Sequence, residues 1–514
     1  MLFSKLPNRG AAILAVLVVC FASCSSSEKK DTQEIIIGEQ SDLQSFDPLD
    51  GMLDDTQILV YNALVEIDAN FKQTPALAES WEMSEDGMTW TFHLRRGVTF
   101  HDGQKWDTAA ALANFKRLDG YPGLADTKNV DAPDDYTLIF NMKQPTYNLS
   151  SNLARTMMSM VSPAVINPDG SITAGVGSGP YKLEKWERDV QYVFDANDDF
   201  WGGKPNIRKI TFKVIPDAQA RAAALESGEI DMMNGYQSLA AVKRLSNNNK
   251  FQVIKKVQNT SQFIIFNLDR SPVDNLLVRE AIGHALDFTT IVNTLLPSLV
   301  SAPQGFFSPS YGDNVNPDVR NPEFDVAKAA VLLDNAGWLL AAGGLRYKEG
   351  KPLTVTLTFS AGNSEDSLLA PLIQDHLKQI GVDLKLNPVE SATLDDVLEN
   401  KKYDMVLTGQ SFIPTDDPLF HYKNGYWHSN SYYKIYTTPK LDAMIDELAS
   451  TMDIRKRVEL NHNIQKNIMD NVPVLMVFHR NSVRLAKSNI ADFDISSGCW
   501  HINRDLYKAR IRSE

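Results

Sequence analysis

The sequence predicts an α/β protein of two or three domains, and three observations carry that expectation. Its 514 residues exceed what one hydrophobic core organises. Its composition, 43% hydrophobic and 22% charged, is that of an ordinary globular chain. From Glu34 onward short strand-like runs alternate with helical stretches, without low-complexity segments or internal repeats, and that alternation implies α/β layers.

The chain opens on a targeting segment. MLFSKLPNRG carries Lys5 and Arg9, and the apolar run AAILAVLVVCF behind it is too short to span a bilayer. Phe21, Ala22 and Ser23 then lead to Cys24, which resembles a bacterial lipobox, whose cysteine becomes the lipidated first residue of the mature chain. Residues 1–23 read as the signal peptide and residues 24–33 as a lipidated polar tether; a plain signal peptide cleaved nearby is the alternative. After Cys24 only Cys499 remains, which leaves no pair for an intramolecular disulfide and no Cys-rich zinc site.

The folded elements follow in order. Ile35-Ile36-Ile37 reads as a strand, and residues 57–64 as a helix. In WEMSEDGMTWTFHLRRGVTFHDGQKWD, residues 81–107, Ser84-Glu85-Asp86-Gly87 is a hairpin turn. Beyond it Trp90, Phe92 and Leu94 point one way and Thr89, Thr91, His93 and Arg95 the other, the period of a strand with one buried face. Asp102-Gly103 makes a second turn, a helix-compatible stretch follows at 108–118, and residues 134–142 read as a strand. GVGSGP, residues 175–180, is a Gly-rich break ahead of the strand Tyr181-Lys182-Leu183. Pro180 at the last glycine position, with no helix following, excludes a dinucleotide fingerprint. Farther on, residues 207–215, 263–268, 353–359 and 403–407 read as strands. Residues 217–227, 274–287, 325–336, 365–379, 440–449 and 454–470 read as helices, and strand character returns at 474–478.

Charge and motif content narrow the function. A net charge of −13 without a stripe of Lys and Arg argues against nucleic acid as a partner. The chain has no G-x-S-x-G, no Walker A loop and no H-E-x-x-H, so no enzyme is expected. Nine histidines are scattered along it, and His421 and His428 lie seven apart in an aromatic, turn-rich region.

TPALAESWEMSEDGMTWTFHLRRGVTFHDGQKWD resembles the signature region of the family 5 extracellular solute-binding proteins, the peptide- and nickel-binding components of bacterial ABC importers. Other stretches agree in order: Ser45-Phe46-Asp47-Pro48, GSGPYKLEKW, NDDFWGGKPNIRKITFKVIPDAQARAAALESGEIDMM and FNLDRSPVDNLLVREAIGHALD. The resemblance implies a two-lobed periplasmic-binding-protein fold of type II, with an extra inserted domain and a ligand cleft between the lobes. It assigns residues 34–60, 176–265 and 481–514 to domain I of the first lobe, 61–175 to the inserted domain II, and 266–480 to the second lobe. It places hinge strands near 263–270 and 480–487, and gives the hairpin of residues 81–107 a structural role. It further implies a monomer without cofactor that closes on a small ligand and docks on a membrane permease with its ATPase, tethered by its lipid on the extracytoplasmic side.

The ligand expectation also rests on the resemblance. Peptide-binding members carry an aspartate for the ligand's ammonium, and anchoring on Asp417-Pro418 puts Pro414 at that position. An unpaired buried ammonium is costly, which disfavours a free-amine peptide unless Asp416 substitutes. Nickel-binding members hold a metal chelate with aromatics, an arginine facing carboxylates and in some cases one histidine. Here those positions point to Phe412, Trp427, Arg155 and His428, the last also as a metal ligand; the tryptophan of those members has no counterpart between Lys116 and Val130, where Tyr121 is the one aromatic. A nickel or other metal chelate is thus the first expectation, and an oligopeptide or dipeptide the alternative. A sensor or chaperone-like lipoprotein on the same fold is a third, of another class.

If Cys24 carries the lipid, Cys24→Ser releases the protein from the membrane fraction on ultracentrifugation; equal partitioning of both forms would show that no lipid is attached there.

Overall fold

The structure is a computed structural model that describes residues 33–50, 57–68, 72–235, 237–411, 418–493, 495 and 504–512. Cys24, Phe412, Pro414, Asp416 and Cys499 lie outside the described residues. One large mixed sheet forms the spine. In order across it, strands Asp383–Val389, Thr354–Ser360 and Met405–Ser411 precede two long strands, Phe251–Phe266 and Val474–Lys487. Strands Met232–Met233, Glu34–Glu39, Lys209–Val214, Gln191–Ala196 and Tyr181–Glu187 follow, and the short strand Val300–Ser301 pairs with Val474–Lys487 off this path.

The two long strands, 16 and 14 residues, pair antiparallel and run from one hydrophobic core into another. At one end Val483 and Leu485 pack with Leu225, Ile230 and Leu245. At the other, Ile264, Phe266, Leu475 and Val477 pack with Leu357, Leu369 and Ile373. The sequence shows only the apolar ends of these strands, at 263–268 and 474–478. Their middles are polar, and Asn259, Thr260, Ser261 and Gln262 are nevertheless buried because the ladder passes through the centre of the sheet. The pairing register shifts between Val257 and Ser261 and again between Gln262 and Phe263, so the ladder is interrupted where the two halves meet. The strand expected at 263–270 accordingly begins at Phe251 and ends at Phe266.

Strand direction decides where a ligand can sit. Met405–Ser411 runs antiparallel to Phe251–Phe266, and Thr354–Ser360 runs parallel to Met405–Ser411. In the other half Met232–Met233 runs antiparallel to Val474–Lys487, and Glu34–Glu39 is parallel to it and to Lys209–Val214. The carboxyl ends of the parallel strands in each half therefore point at the other half, the edge where open α/β sheets bind ligands.

A separate four-stranded sheet, in order Ala78–Met83, Thr89–Leu94, Thr137–Met142 and Thr127–Asp134, has its own core. Trp90, Phe92 and Leu94 are buried in it, as their alternation requires. The strand expected at 134–142 begins only at Thr137, because Asp135 and Tyr136 form the turn that joins Thr137–Met142 to Thr127–Asp134 as a hairpin. The helix expected at 57–64 lasts only from Gln57 to Val60. Beyond it the backbone pairs at long range, Met160 N–H donating to Asn62 O (2.9 Å) and Leu77 N–H to Ala63 O (3.1 Å). Such tertiary pairing outweighs local helical preference.

The acidic turn after the hairpin is a joint between substructures. His101 N–H donates to Gly177 O at 2.8 Å, His101 Nε2 lies 3.0 Å from Gly179 O, and Ser162 Oγ donates to Asp102 Oδ2 at 2.6 Å. Burial lowers the His101 pKa to about 4, so its ring is neutral near pH 7. On their other side these glycines abut the chain at Leu59 and Val60, where a Cβ on Gly179 would lie 2.5 Å from the Leu59 carbonyl oxygen. Gly179→Ala is therefore expected to destabilise the first calorimetric transition by about 1–3 kcal/mol, the usual cost of overpacking; an unchanged transition would show that the backbone there yields freely.

Candidate functional site

The floor of the interlobe region is a belt of buried polar side chains on the two long strands and the helix Ser364–Gln379. Gln262 Nε2 donates to Asp366 Oδ1 at 2.6 Å, and Glu365 forms an ion pair with Arg480. Burial raises the Asp366 pKa to about 7, with Arg480 opposing the rise and Glu365 adding to it. His479 Nδ1 lies 2.8 Å from Ser261 Oγ, while Gln304 N–H donates to Nε2 at 3.4 Å. The ring proton therefore belongs on Nδ1 and is given to Ser261, the reverse of what a serine nucleophile needs. Burial also lowers the His479 pKa to about 4.

Arg155 opens the short turn Thr156–Met158 and is half-buried. Its guanidinium carbon lies 5.8 Å from the ring centroid of Tyr121, in its own half, and 5.5 Å from that of Phe420, which belongs to the other half. Nη2 sits 3.9 Å from Met157 Sδ, and among the described residues Arg155 has no carboxylate partner. Two further contacts link the small sheet's surroundings to the second half along the same rim. The Arg457 guanidinium stands 3.9 Å over the Tyr147 ring, and the Gly87 hairpin tip abuts Met452, whose Sδ lies 2.5 Å from a Cβ built on that glycine. The hairpin of residues 81–107 thus carries an interlobe contact at its tip.

The other sequence-derived candidates divide. Phe412 and Asp416 lie outside the described residues, between strand Met405–Ser411 and helix Leu419–His421 in the sequence. Trp427 is 1% exposed and packs edge-on against Phe306 at 5.2 Å within the second half's core. His428 is 5% exposed, and its Nδ1 accepts from Asn430 N–H at 3.0 Å. Its Nε2 faces Asp446 at 3.6 Å and Asp442 at 4.0 Å, both on helix Pro439–Ser450. Both nitrogens thus face residues of its own lobe, and among the described residues no group of three or more His, Cys, Asp or Glu could hold a metal ion. His421 likewise turns inward, with Nε2 3.0 Å from Tyr311 Oη. Sequence reasoning overlooked Phe420, whose one signal was its place in the aromatic, turn-rich segment.

With two α/β halves facing each other across an edge of strand ends, the chain has the architecture of a cleft-binding protein. It belongs to the bacterial extracellular solute-binding proteins, family 5, whose model matches residues 72–431. It is 28% identical to the nickel-binding periplasmic protein of Escherichia coli (strain K12), over 85% of this chain and 86% of that protein. It is 24% identical to the oligopeptide-binding protein AppA of Bacillus subtilis (strain 168), over 96% of each. Among solved structures it is similar to NikA from Brucella suis in complex with Fe(III)-EDTA, at TM-score 0.84 and 27% identity, covering 93% of this chain and 100% of that one. The fold is the two-lobed type II periplasmic-binding-protein fold, and the chain is a solute-binding protein of ABC importers. Its relatives are transport proteins of the extracytoplasmic side, and among the described residues no helix is long and apolar enough to cross a membrane.

Asp366 makes stability depend on pH with a definite sign. Its pKa is raised to about 7 in the folded state from an ordinary value of 3.8, so between these values the folded chain holds a proton that the unfolded chain has released. The stabilisation is complete below about pH 4 and is lost as pH rises toward 7. Asp366→Asn should match the parent near pH 4 and exceed it at pH 8, by on the order of 4 kcal/mol at most. Equal melting curves at pH 8 would place the proton elsewhere.

Proposed function

We propose that this protein captures a carboxylate-bearing metal chelate, nickel foremost, between its lobes and delivers it to an ABC permease. In this reading Cys24 carries the lipid anchor, residues 61–175 are the inserted domain, and residues 266–480 are the second lobe, in a monomer that closes on its ligand. The observation that carries it is Arg155, a half-buried guanidinium between the lobes with no carboxylate partner among the described residues. A guanidinium fork pairs with carboxylate oxygens bidentately, and such a pair strengthens when closure excludes water. The likeness to the E. coli nickel-binding protein and to the Brucella protein holding Fe(III)-EDTA supports the same class of ligand. Phe412 would pack on apolar parts of the chelate. Trp427 and His428 supply the wall behind it rather than contacts, since both turn into the second half. The metal's ligands then come from the chelator.

The peptide reading keeps one observation of its own, the likeness to an oligopeptide-binding protein over 96% of the chain. In that reading Asp416 anchors the ligand's ammonium.

The deciding experiment is identification, by native mass spectrometry and metal analysis, of what co-purifies from rich medium, followed by titration of nickel–EDTA. Arg155→Ala should weaken nickel–EDTA at least ~100-fold, because a partner removed from a desolvated charge pair costs several kcal/mol and each 1.4 kcal/mol is tenfold. A co-purified peptide, or unchanged affinity in the variant, would move the assignment to peptides.

A further inference from the structure

We propose that Phe420 is a positioning residue for Arg155, and that it makes carboxylate recognition conditional on the lobes being closed. The inference rests on the chelate reading above. Arg155 is flanked by two aromatic rings drawn from different halves of the molecule, Tyr121 at 5.8 Å and Phe420 at 5.5 Å. Both distances fall within the ~6 Å over which a ring face attracts a cation. Tyr121 packs against the small sheet's core, whereas Phe420 follows Leu419, which is buried in the second half's core.

A ring attracts a guanidinium through its charge, whereas a carboxylate engages its five N–H donors. The rings thus restrain the group without consuming the fork that a carboxylate needs. The one in-plane contact is Nη2 to Met157 Sδ at 3.9 Å, a weak acceptor that any carboxylate oxygen displaces. Arginine is otherwise among the side chains with most rotamer entropy to lose, and holding it in place beforehand removes part of that cost from ligand binding.

Because Phe420 lies across the interface, this restraint exists only when the halves meet. The Tyr147–Arg457 and Gly87–Met452 contacts hold the same rim together. With the lobes apart, Arg155 keeps Tyr121 and Met157 alone. Closure and anion recognition consequently stabilise each other, which is coupling between a conformational equilibrium and a site. Phe420 need not touch the ligand to act in this way.

The test is a double-mutant cycle with nickel–EDTA as the probe, read by calorimetric titration. Phe420→Leu, which keeps apolar bulk but no ring face, should weaken binding about tenfold, within the range of desolvated cation–π contacts. Phe420→Tyr should restore affinity to within about twofold. In an Arg155→Ala background Phe420→Leu should cost nothing further, an outcome that a merely structural residue would not give. An equal loss from Phe420→Leu with and without Arg155, or no loss with it, overturns the proposal while leaving the chelate reading intact. Failure of Arg155→Ala to weaken the probe, or of the unaltered protein to bind it, overturns the chelate reading and this inference together.

Discussion

The antiparallel pair of long strands, Phe251–Phe266 and Val474–Lys487, is the constraint on which the rest depends. Each strand contributes to cores in both halves, so neither half can move without the other half's ladder feeling it. Where the halves meet, the register shifts twice within a few residues, and those interruptions are where the ladder bends at least cost. A continuous pair of this kind permits rotation of one half against the other rather than free separation. The buried polar side chains between the halves, Ser261, Gln262, His479 and Arg480 among them, take their positions directly from these two strands.

Passing such a pair through the centre of the molecule has an electrostatic consequence. The middle of each strand lies between the apolar cores, so it carries Ser261, Gln262, His479 and Arg480, and packing buries most of them. Their polar atoms are met largely from within, by Asp366 on Gln262, Glu365 on Arg480 and Ser261 on His479. Buried pairs of this kind contribute little net stability compared with apolar packing, but breaking one is expensive. The belt therefore defines one arrangement of the hinge more than it strengthens it. Neutral His101 and His479 show the same economy of charge in the interior.

In the proposed reading, recognition divides between the polar belt on the long strands and a rim of contacts between the lobes. At the rim, contacts across the lobes are made by single side chains: Tyr147 with Arg457, Met452 with the Gly87 tip, and Arg155 with Phe420. None of these is a large apolar interface, which suits halves that must part to release cargo to a permease. Among the described residues Arg155 meets ring faces but no carboxylate, which supports the proposed anion site, whereas His428 and Trp427 are committed to their own lobe.

The sequence by itself determined the α/β class, the family and the period-two strand at Trp90, Phe92 and Leu94, because these depend on local alternation and on ordered motifs. It also singled out Arg155 through resemblance. It did not reveal the polar middles of the long strands, since a strand buried in a sheet between two halves need not alternate. It overestimated the helix after Gln57, where pairing with distant backbone at Met160 and Gly179 outweighs local preference. Only the tertiary structure separated the candidate side chains. Arg155, Trp427 and His428 look equally suitable as residue types, but burial sends Trp427 and His428 inward while Arg155 reaches across to Phe420, a partner 265 positions away that no spacing rule connects to it. Contacts between lobes join residues remote in the chain, and the direction of a side chain is set by packing around it, so neither is written in local sequence.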